Sequence, residues 1–333
     1  MVTKQQVEEV LGQVIVPAVF RSLTQMNLVR GVEIKDNRMK ITLSDAALSP
    51  DVREWLRGEV QTRLSSLDNI SAVAVDFEAS VPKDLNKIDK VVAVMSGKGG
   101  VGKSLVTGLL ALALARDGKM VGILDADVTG PSIPKMFGIN GRPAGSETGL
   151  LPLSSKTGIE IMSMNLLLPQ EDDAVIWRGP IIARSVQQFW EDVLWGKLDY
   201  LIVDLPPGTG DVPLTVMQSI PLAGVIIAFT PQALTAMVVR KAVKMAQQMN
   251  VPILGVVENM SYFLVPETGS RIDIFGESKA SMMAKLVGTP ILGQIPLDPE
   301  LARLCDQGLI EEYDSEIMKG FQGAALRVLS TVR

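Results

Sequence analysis

Two rhythms of apolar and polar residues divide the chain. Over residues 1 to about 80 the rhythm is mixed. Lys4 to Leu11 reads as a helix, with Gly12 placed to stop it. Gly31 to Lys35 and Arg38 to Leu43 alternate apolar and polar, which predicts two antiparallel strands turning at Asp36-Asn37. Ser49-Pro50 opens a helix whose Val52, Trp55, Leu56, Val60 and Leu64 fall on one face. Ile70 to Phe77 predicts a last strand. The polar, proline-punctuated stretch from Val81 reads as a linker. These boundaries give a small α+β domain over 1–80, a linker over 81–89 and a second domain over 90–333.

In that second part, near-continuous apolar strands alternate with helical segments. The strands are Val91 to Met95, Met120 to Leu124, Ile159 to Met164, Tyr200 to Asp204, Gly224 to Phe229, Ile253 to Val257 and Ile291 to Gln294. Strands apolar on both sides, separated by helices, predict an α/β fold with a mostly parallel sheet covered on both faces. Such sheets bind ligands beyond the carboxyl ends of their strands. Near the end of the chain, Ile317, Phe321, Ala324, Ala325, Val328 and Val332 recur at helical spacing, as in a helix docked on its own core or one that lies on a membrane.

Composition narrows the chemistry. The chain of 333 residues holds no histidine, which excludes Ser-His-Asp and Cys-His catalysis and every His-dependent zinc site. Proton transfer then falls to carboxylates, lysines, water or a bound nucleotide. The single cysteine, Cys305, allows no internal disulfide and fits a reducing, cytoplasmic setting. A net charge of −5 argues against coating nucleic acid by charge alone. No apolar run reaches the ~18–20 residues of a membrane span, and residues 1–30 lack a basic and apolar leader pattern.

The stretch from Ser96 to Ser104 sits between a buried strand and a helix that starts near Leu105. It reads Gly97-Lys98-Gly99-Gly100-Val101-Gly102-Lys103-Ser104, the P-loop pattern G-x-x-x-x-G-K-S. Glycines let the backbone N–H groups converge on phosphate, and the helix N-terminus adds partial positive charge. Lys103 is placed to reach the β- and γ-phosphates of ATP, and the Ser104 hydroxyl to ligate Mg²⁺. The extra Lys98 is either a solvated charge or a group that reaches a phosphate across a dimer interface.

Further polar groups sit at strand ends. Asp125 and Asp127, two apart, point the same way; one can hold the Mg²⁺ shell and the other orient water, unless the pair is only a polar cap. Asp204 ends an apolar strand as a Walker B carboxylate does, in contact with Mg²⁺ directly or through water. Gly208, in Pro206-Pro207-Gly208-Thr209-Gly210-Asp211, could offer its N–H to the γ-phosphate, or merely form a rigid turn. Asn259 is either an adenine reader or a turn residue. Pro296 to Pro299 is a loop able to close over a base. Trp177-Arg178-Gly179-Pro180, after the acidic Glu171, Asp172 and Asp173, reads as a partner contact or as packing.

Taken together, the Lys98-bearing loop, Asp125-Ala-Asp-Val-Thr-Gly-Pro-Ser132, Trp177-Arg-Gly-Pro180, Asp204-Leu-Pro-Pro-Gly-Thr-Gly-Asp211 and Glu258-Asn-Met-Ser261 resemble the Mrp/ApbC family. These are iron–sulfur cluster carrier ATPases related to MinD, ParA and the nitrogenase iron protein. The resemblance runs from about Lys90 to the end, and residues 1–80 resemble the small cluster-assembly domain fused ahead of such ATPases. It implies a homodimer in which Lys98, Lys103 and Asp127 are catalytic, Ser104 and Asp204 hold Mg²⁺, Gly208 lies in a switch and Asn259 reads adenine. It further implies a [4Fe–4S] cluster as cargo and iron–sulfur apoproteins or assembly factors as partners; from charge and from the cation-poor C-terminal stripe, neither nucleic acid nor membrane is expected.

The chain departs from that family where the cargo binds. Many members carry Cys-x-x-Cys shortly after Asn-Met-Ser. Val265 and Thr268 stand at the thiolate positions here, and neither can ligate iron. The small domain reads Val16-Pro17-Ala18 in place of Asp-Pro-Glu, and Asp45 to Pro50 where a cysteine is usual. A regulatory or positioning ATPase of the MinD/ParA type, or a cluster-less scaffold or adaptor ATPase, is the alternative reading.

Overall fold

Thr3 caps the first helix, α1 (Lys4–Leu11): its hydroxyl accepts from the Gln6 amide, and the Gln6 side chain accepts from the Thr3 N–H. The computed structural model to which it belongs describes residues 2–17, 19–67, 70–127, 130, 132–167, 179–232 and 235–332, without the side chains of 179–183, 235 and 236. The chain forms two units. One comprises residues 1–88, 142–154 and 188–198, the other 89–141, 155–187 and 199–333.

In the first unit, β1 (Val29–Lys35) and β2 (Arg38–Ser44) pair antiparallel as the alternation predicts. Asp36 and Asn37 turn between them at φ 48° and 61°, the left-handed pair that a two-residue hairpin demands. α2 (Pro50–Ser65) starts under a Ser49 cap and crosses over to β3 (Ala72–Glu78), which pairs parallel with β2. Burial along α2 follows Leu56, Val60 and Leu64, one stripe at i, i+4. Trp55 is 47% exposed, off the face assigned from spacing, because it lies about 100° around the helix from Leu56.

The stretch read as a linker is packed. Pro82 and Leu85 are buried in a one-turn helix, α3 (Pro82–Leu85), and a strand begins at Lys87. Asn86 then joins two distant parts of this unit: its Oδ1 accepts from the Trp195 and Gly196 amides, and its Nδ2 donates to the Val193 carbonyl at 2.9 Å. Leu151 and Leu194 enter the same core as Leu11, Met39, Ile41 and Leu56.

The second unit is built on seven strands: β4 (Lys87–Ser96), β5 (Val121–Asp125), β6 (Glu160–Ser163), β7 (Lys197–Asp204), β8 (Gly224–Phe229), β9 (Ile253–Glu258) and β10 (Ile291–Gln294). They lie side by side in the order β6-β5-β7-β4-β8-β9-β10. The β6–β5, β5–β7, β4–β8, β8–β9 and β9–β10 pairs are parallel. The chain leaves β4 for β5 in one direction and later returns to β8 in the other. That reversal opens a crevice over the carboxyl ends of β4, β5 and β7.

The helices of this part are α4 (Lys103–Arg116), α5 (Ile133–Met136), α6 (Gly179–Asp192), α7 (Asp211–Ser219), α8 (Thr235–Gln248), α9 (Ala280–Val287), α10 (Pro299–Asp306) and α11 (Glu316–Leu329). α4 is buried from Val106 to Leu114 on all sides, so it shows no amphipathic stripe. In α11 the buried stripe is offset from the one read from spacing: Phe321 and Ala325 lie on it, whereas Ile317, Ala324, Val328 and Val332 are only half-buried. Met318, Phe321, Ala325 and Leu329 are buried, and a Cβ on Gly293 of β10 would stand 2.8 Å from the Phe321 ring. Among the described residues, no helix is long and apolar enough to cross a membrane.

Candidate functional site

β4 hands the chain to α4 through residues 97–102, and space dictates the glycines at two points. At Gly102 the backbone takes φ +76°, and a Cβ would stand 2.0 Å from Asn259 Nδ2. At Gly97 it would stand 2.1 Å from Val238 Cγ1 of α8. The loop is therefore wedged between α8 on one side and the end of β9 on the other.

Lys103, the first residue of α4, is 5% exposed and turned into the crevice. Its Nζ lies 2.7 Å from Asp204 Oδ1 and 3.4 Å from Asp127 Oδ2. Ser104 Oγ donates to Asp204 Oδ2 at 2.5 Å. Thr107, one turn along α4, donates to Asp204 Oδ1 at 2.8 Å. Its role was not anticipated, although its i+4 spacing from Lys103 places both on one face. Lys103, Ser104, Asp127 and Asp204, far apart in sequence, thus meet at three strand ends. The Ser104 hydroxyl and Asp204 carboxylate are convergent hard oxygens, the donor set that suits Mg²⁺ directly or through water.

The two carboxylates after β5 have separate surroundings. Asp125 accepts from the Asp127 N–H at 3.1 Å and from Ser163 Oγ at 3.0 Å. Burial, reinforced by the Asp204 charge, pushes its carboxyl well above the usual carboxylate range, against the pull of Lys103. Asp125 is a buried brace for the loop that carries Asp127. Asp127 retains 8% exposure toward the crevice. Val128, Thr129 and Pro131 of this motif lie outside the described residues, as do Glu171, Asp172, Asp173, Trp177 and Arg178.

Three other expected nucleotide contacts already have protein partners. The Gly208 N–H donates to the Ser96 carbonyl at 2.9 Å, with Gly208 at φ +91°. In this conformation it faces the strand end, not a phosphate position. Lys98 Nζ lies 2.5 Å from Gln232 Oε1. Asn259 is buried, and its Nδ2 donates to the Val101 carbonyl at 2.9 Å; its Oδ1 is buried without a hydrogen-bond partner. An adenine reader here would have only its acceptor free. The loop expected to close over a base is also committed: Asp298 Oδ1 caps α10, and its Oδ2 accepts from Tyr313 at 2.8 Å.

Next to Asn259, Glu258 forms a buried hub that the sequence did not reveal. It accepts from Ser261 Oγ, Ser278 Oγ, the Lys279 N–H and Gln294 Nε2, at 2.5, 2.6, 2.7 and 2.9 Å. The hub ties the end of β9 to β10 and to the start of α9.

Two family descriptions match the chain. Residues 87–329 match the NUBPL iron-transfer P-loop NTPase family, and residues 4–77 match a family described as iron-sulfur cluster assembly protein. The chain belongs to the NUBPL iron-transfer P-loop NTPase family. It is 47% identical to an iron-sulfur cluster carrier protein of Methanocaldococcus jannaschii, over 77% of this chain and 89% of the relative. It is 36% identical to one from Synechocystis sp., over 100% and 98%. A solved nucleotide-binding protein from Archaeoglobus fulgidus in complex with ADP is 49% identical, with a TM-score of 0.63 over 70% of this chain and 92% of that one. MinD from Aquifex aeolicus shares the fold, at 18% identity and a TM-score of 0.52 over 72% of this chain and 97% of that one.

Within this family member the cysteine-pair segment is a short hairpin. Phe263–Leu264 pairs antiparallel with Arg271–Ile272, and the Val265 N–H donates to the Ser270 carbonyl at 2.9 Å. Among the described residues, no three carboxylates or cysteines are grouped to hold a metal. Cys305 sits half-buried in α10, where burial and then the Asp306 charge push its thiol up to about 11. A thiol raised this far holds about a hundredth of the usual thiolate at a given neutral pH. Alkylation of the native protein by iodoacetamide at pH 8 is therefore expected to run about a hundredfold slower than that of the unfolded chain. The rate should climb as pH approaches 11. Equal native and unfolded rates at pH 8 would show an ordinary thiol.

Proposed function

We propose that this protein is a dimeric, Mg²⁺-dependent ATPase that serves the assembly or delivery of iron–sulfur clusters to apoproteins. The observation that carries the proposal is the convergence of Lys103, Ser104, Asp127 and Asp204 in one crevice beside a glycine-built loop. Water attacks the γ-phosphorus in line, and the bond to the β–γ bridging oxygen breaks as ADP leaves. Asp127 orients that water. Lys103 neutralises charge on the phosphoryl oxygens, and Lys98 does so from the partner subunit. Ser104 and Asp204 would hold Mg²⁺, which would supply further neutralisation of phosphate charge. On the approach of ATP, Lys103 exchanges Asp204 for phosphate, and Asn259 turns its free Oδ1 toward the base amino group.

The cluster is cargo, and the relatives named as carriers supply that part of the reading. Val265 and Thr268 offer no thiolate, and Cys305 is the single thiol of the chain, too few to hold a cluster alone. The thiolates that hold the cluster then belong to the client or to an assembly partner. A membrane-positioning role has no support from α11, whose apolar stripe is packed on Gly293.

Anaerobic purification of wild type and Cys305→Ala, followed by iron, sulfide and absorbance analysis with an ATPase assay, tests this. Mg²⁺-dependent hydrolysis without a stoichiometric cluster in either protein is the expected result. A stoichiometric cluster lost in Cys305→Ala would make this chain its own carrier. Failure to hydrolyse ATP would sink the ATPase reading altogether.

A further inference from the structure

Lys98 is held at both ends. Ser96 Oγ donates to its backbone carbonyl at 2.9 Å, and its Nζ lies 2.5 Å from Gln232 Oε1. Gln232 follows β8, the strand beside β4, in which Ala228 is in register with Ser96. The same two stretches are wedged together further on, since Gly97 leaves no space for a Cβ against Val238. The lysine is therefore folded back onto a fixed neighbouring loop of its own subunit.

The identity of the partner matters. Gln232 is a neutral amide, so it gives the ammonium group one dipole and no opposing charge. A carboxylate in its place would hold the cation more strongly, and phosphate oxygens outcompete an amide for the same reason. We infer that Gln232 is a latch: it parks Lys98 against its own subunit and yields it to the polyphosphate tail of a nucleoside triphosphate on the partner subunit. This rests on the proposed action of Lys98 across a dimer and adds the device that regulates it. Gln232 is a positioning residue, acting only through Lys98. The exchange is of hydrogen-bond partners, with no bond made or broken.

The test measures ATPase rate against protein concentration for the full chain, with mant-ATP binding at low protein concentration and thermal melting as controls. Gln232→Glu is expected to lower kcat about tenfold, the effect of adding charge to one hydrogen bond. Gln232→Ala frees the lysine and is expected to lower the protein concentration for half-maximal rate about threefold. The melting temperature should stay within a few degrees of wild type and mant-ATP affinity within about twofold for both, because a single part-buried side-chain contact bears little of the fold. In a Lys98→Ala background, Gln232→Glu should have no further effect. A folded Gln232→Glu protein with wild-type kcat overturns the latch. So does a Gln232→Glu loss that persists at equal size in the Lys98→Ala background. Lys98→Ala with full activity overturns the cross-dimer reading and the latch with it. A slow Lys98→Ala beside an unaffected Gln232→Glu overturns the latch alone.

Discussion

Replacing Lys103 with alanine is expected to abolish ATP turnover and weaken the fold together. Lys103 is 5% exposed and lies between Asp204, which is fully buried, and Asp127. Removing one member of a buried ion pair leaves the other without compensation, at a cost of about 3–5 kcal/mol. Ser104 and Thr107 still donate to Asp204, which puts the expected loss at the lower end, about 3 kcal/mol. On the catalytic side, loss of the cation proposed to face the phosphoryl oxygens should lower kcat at least about a hundredfold, equivalent to about 3 kcal/mol. Urea unfolding and a steady-state assay on the same preparation separate the two effects. A variant as stable as wild type would mean that the ion pair contributes nothing net to the fold.

The second large effect belongs to Glu258, away from the chemistry. Glu258→Ala removes the common acceptor of two hydroxyls, one backbone N–H and one side-chain amide. Gln294 Nε2 keeps partners, because it also donates to Ser261 Oγ at 3.1 Å and to Ser278 Oγ at 2.5 Å. The Ser261 and Ser278 hydroxyl protons and the Lys279 N–H lose their acceptor. Leaving buried donors unpaired costs about 1–3 kcal/mol each, so a loss of about 3–5 kcal/mol is expected. Glu258→Gln keeps one acceptor oxygen and should lose less than half as much. The readout is the urea midpoint at unchanged m-value. A Glu258→Ala loss under about 0.5 kcal/mol would show that water or repacking replaces the hub.

What could be read from the sequence was what depends on neighbours along the chain. The P-loop, the buried strands and the carboxylates at their ends are local patterns, and Lys103, Asp127 and Asp204 meet in the crevice where their strands place them. Contacts made by tertiary packing were not legible. The Asn259 amide serves Val101, 158 residues away, and Lys98 finds Gln232 at a separation of 134. Nothing near Asn259 or Gln232 in sequence signals either contact. Pro82 and Leu85 misled for a related reason: two buried residues among polar ones make a linker by composition and a packed turn in space. Trp55 shows the converse, an apolar residue near a stripe that the stripe does not bury.

The division into units also bears on how the protein is made. The small unit draws on residues 1–88, 142–154 and 188–198, so the chain passes between units after 88, 141, 154, 187 and 198. Its core includes Leu151 and Leu194. A ribosome that has released the first eighty-odd residues has therefore not released everything their core contains. The part of that core covered by Leu151 and Leu194 stays open until Leu194 emerges, by which time β4, α4 and β5 have also been made. At translation rates of about 5–20 residues per second, that wait lasts several seconds. The amino-terminal unit is first in sequence and among the later parts to be finished.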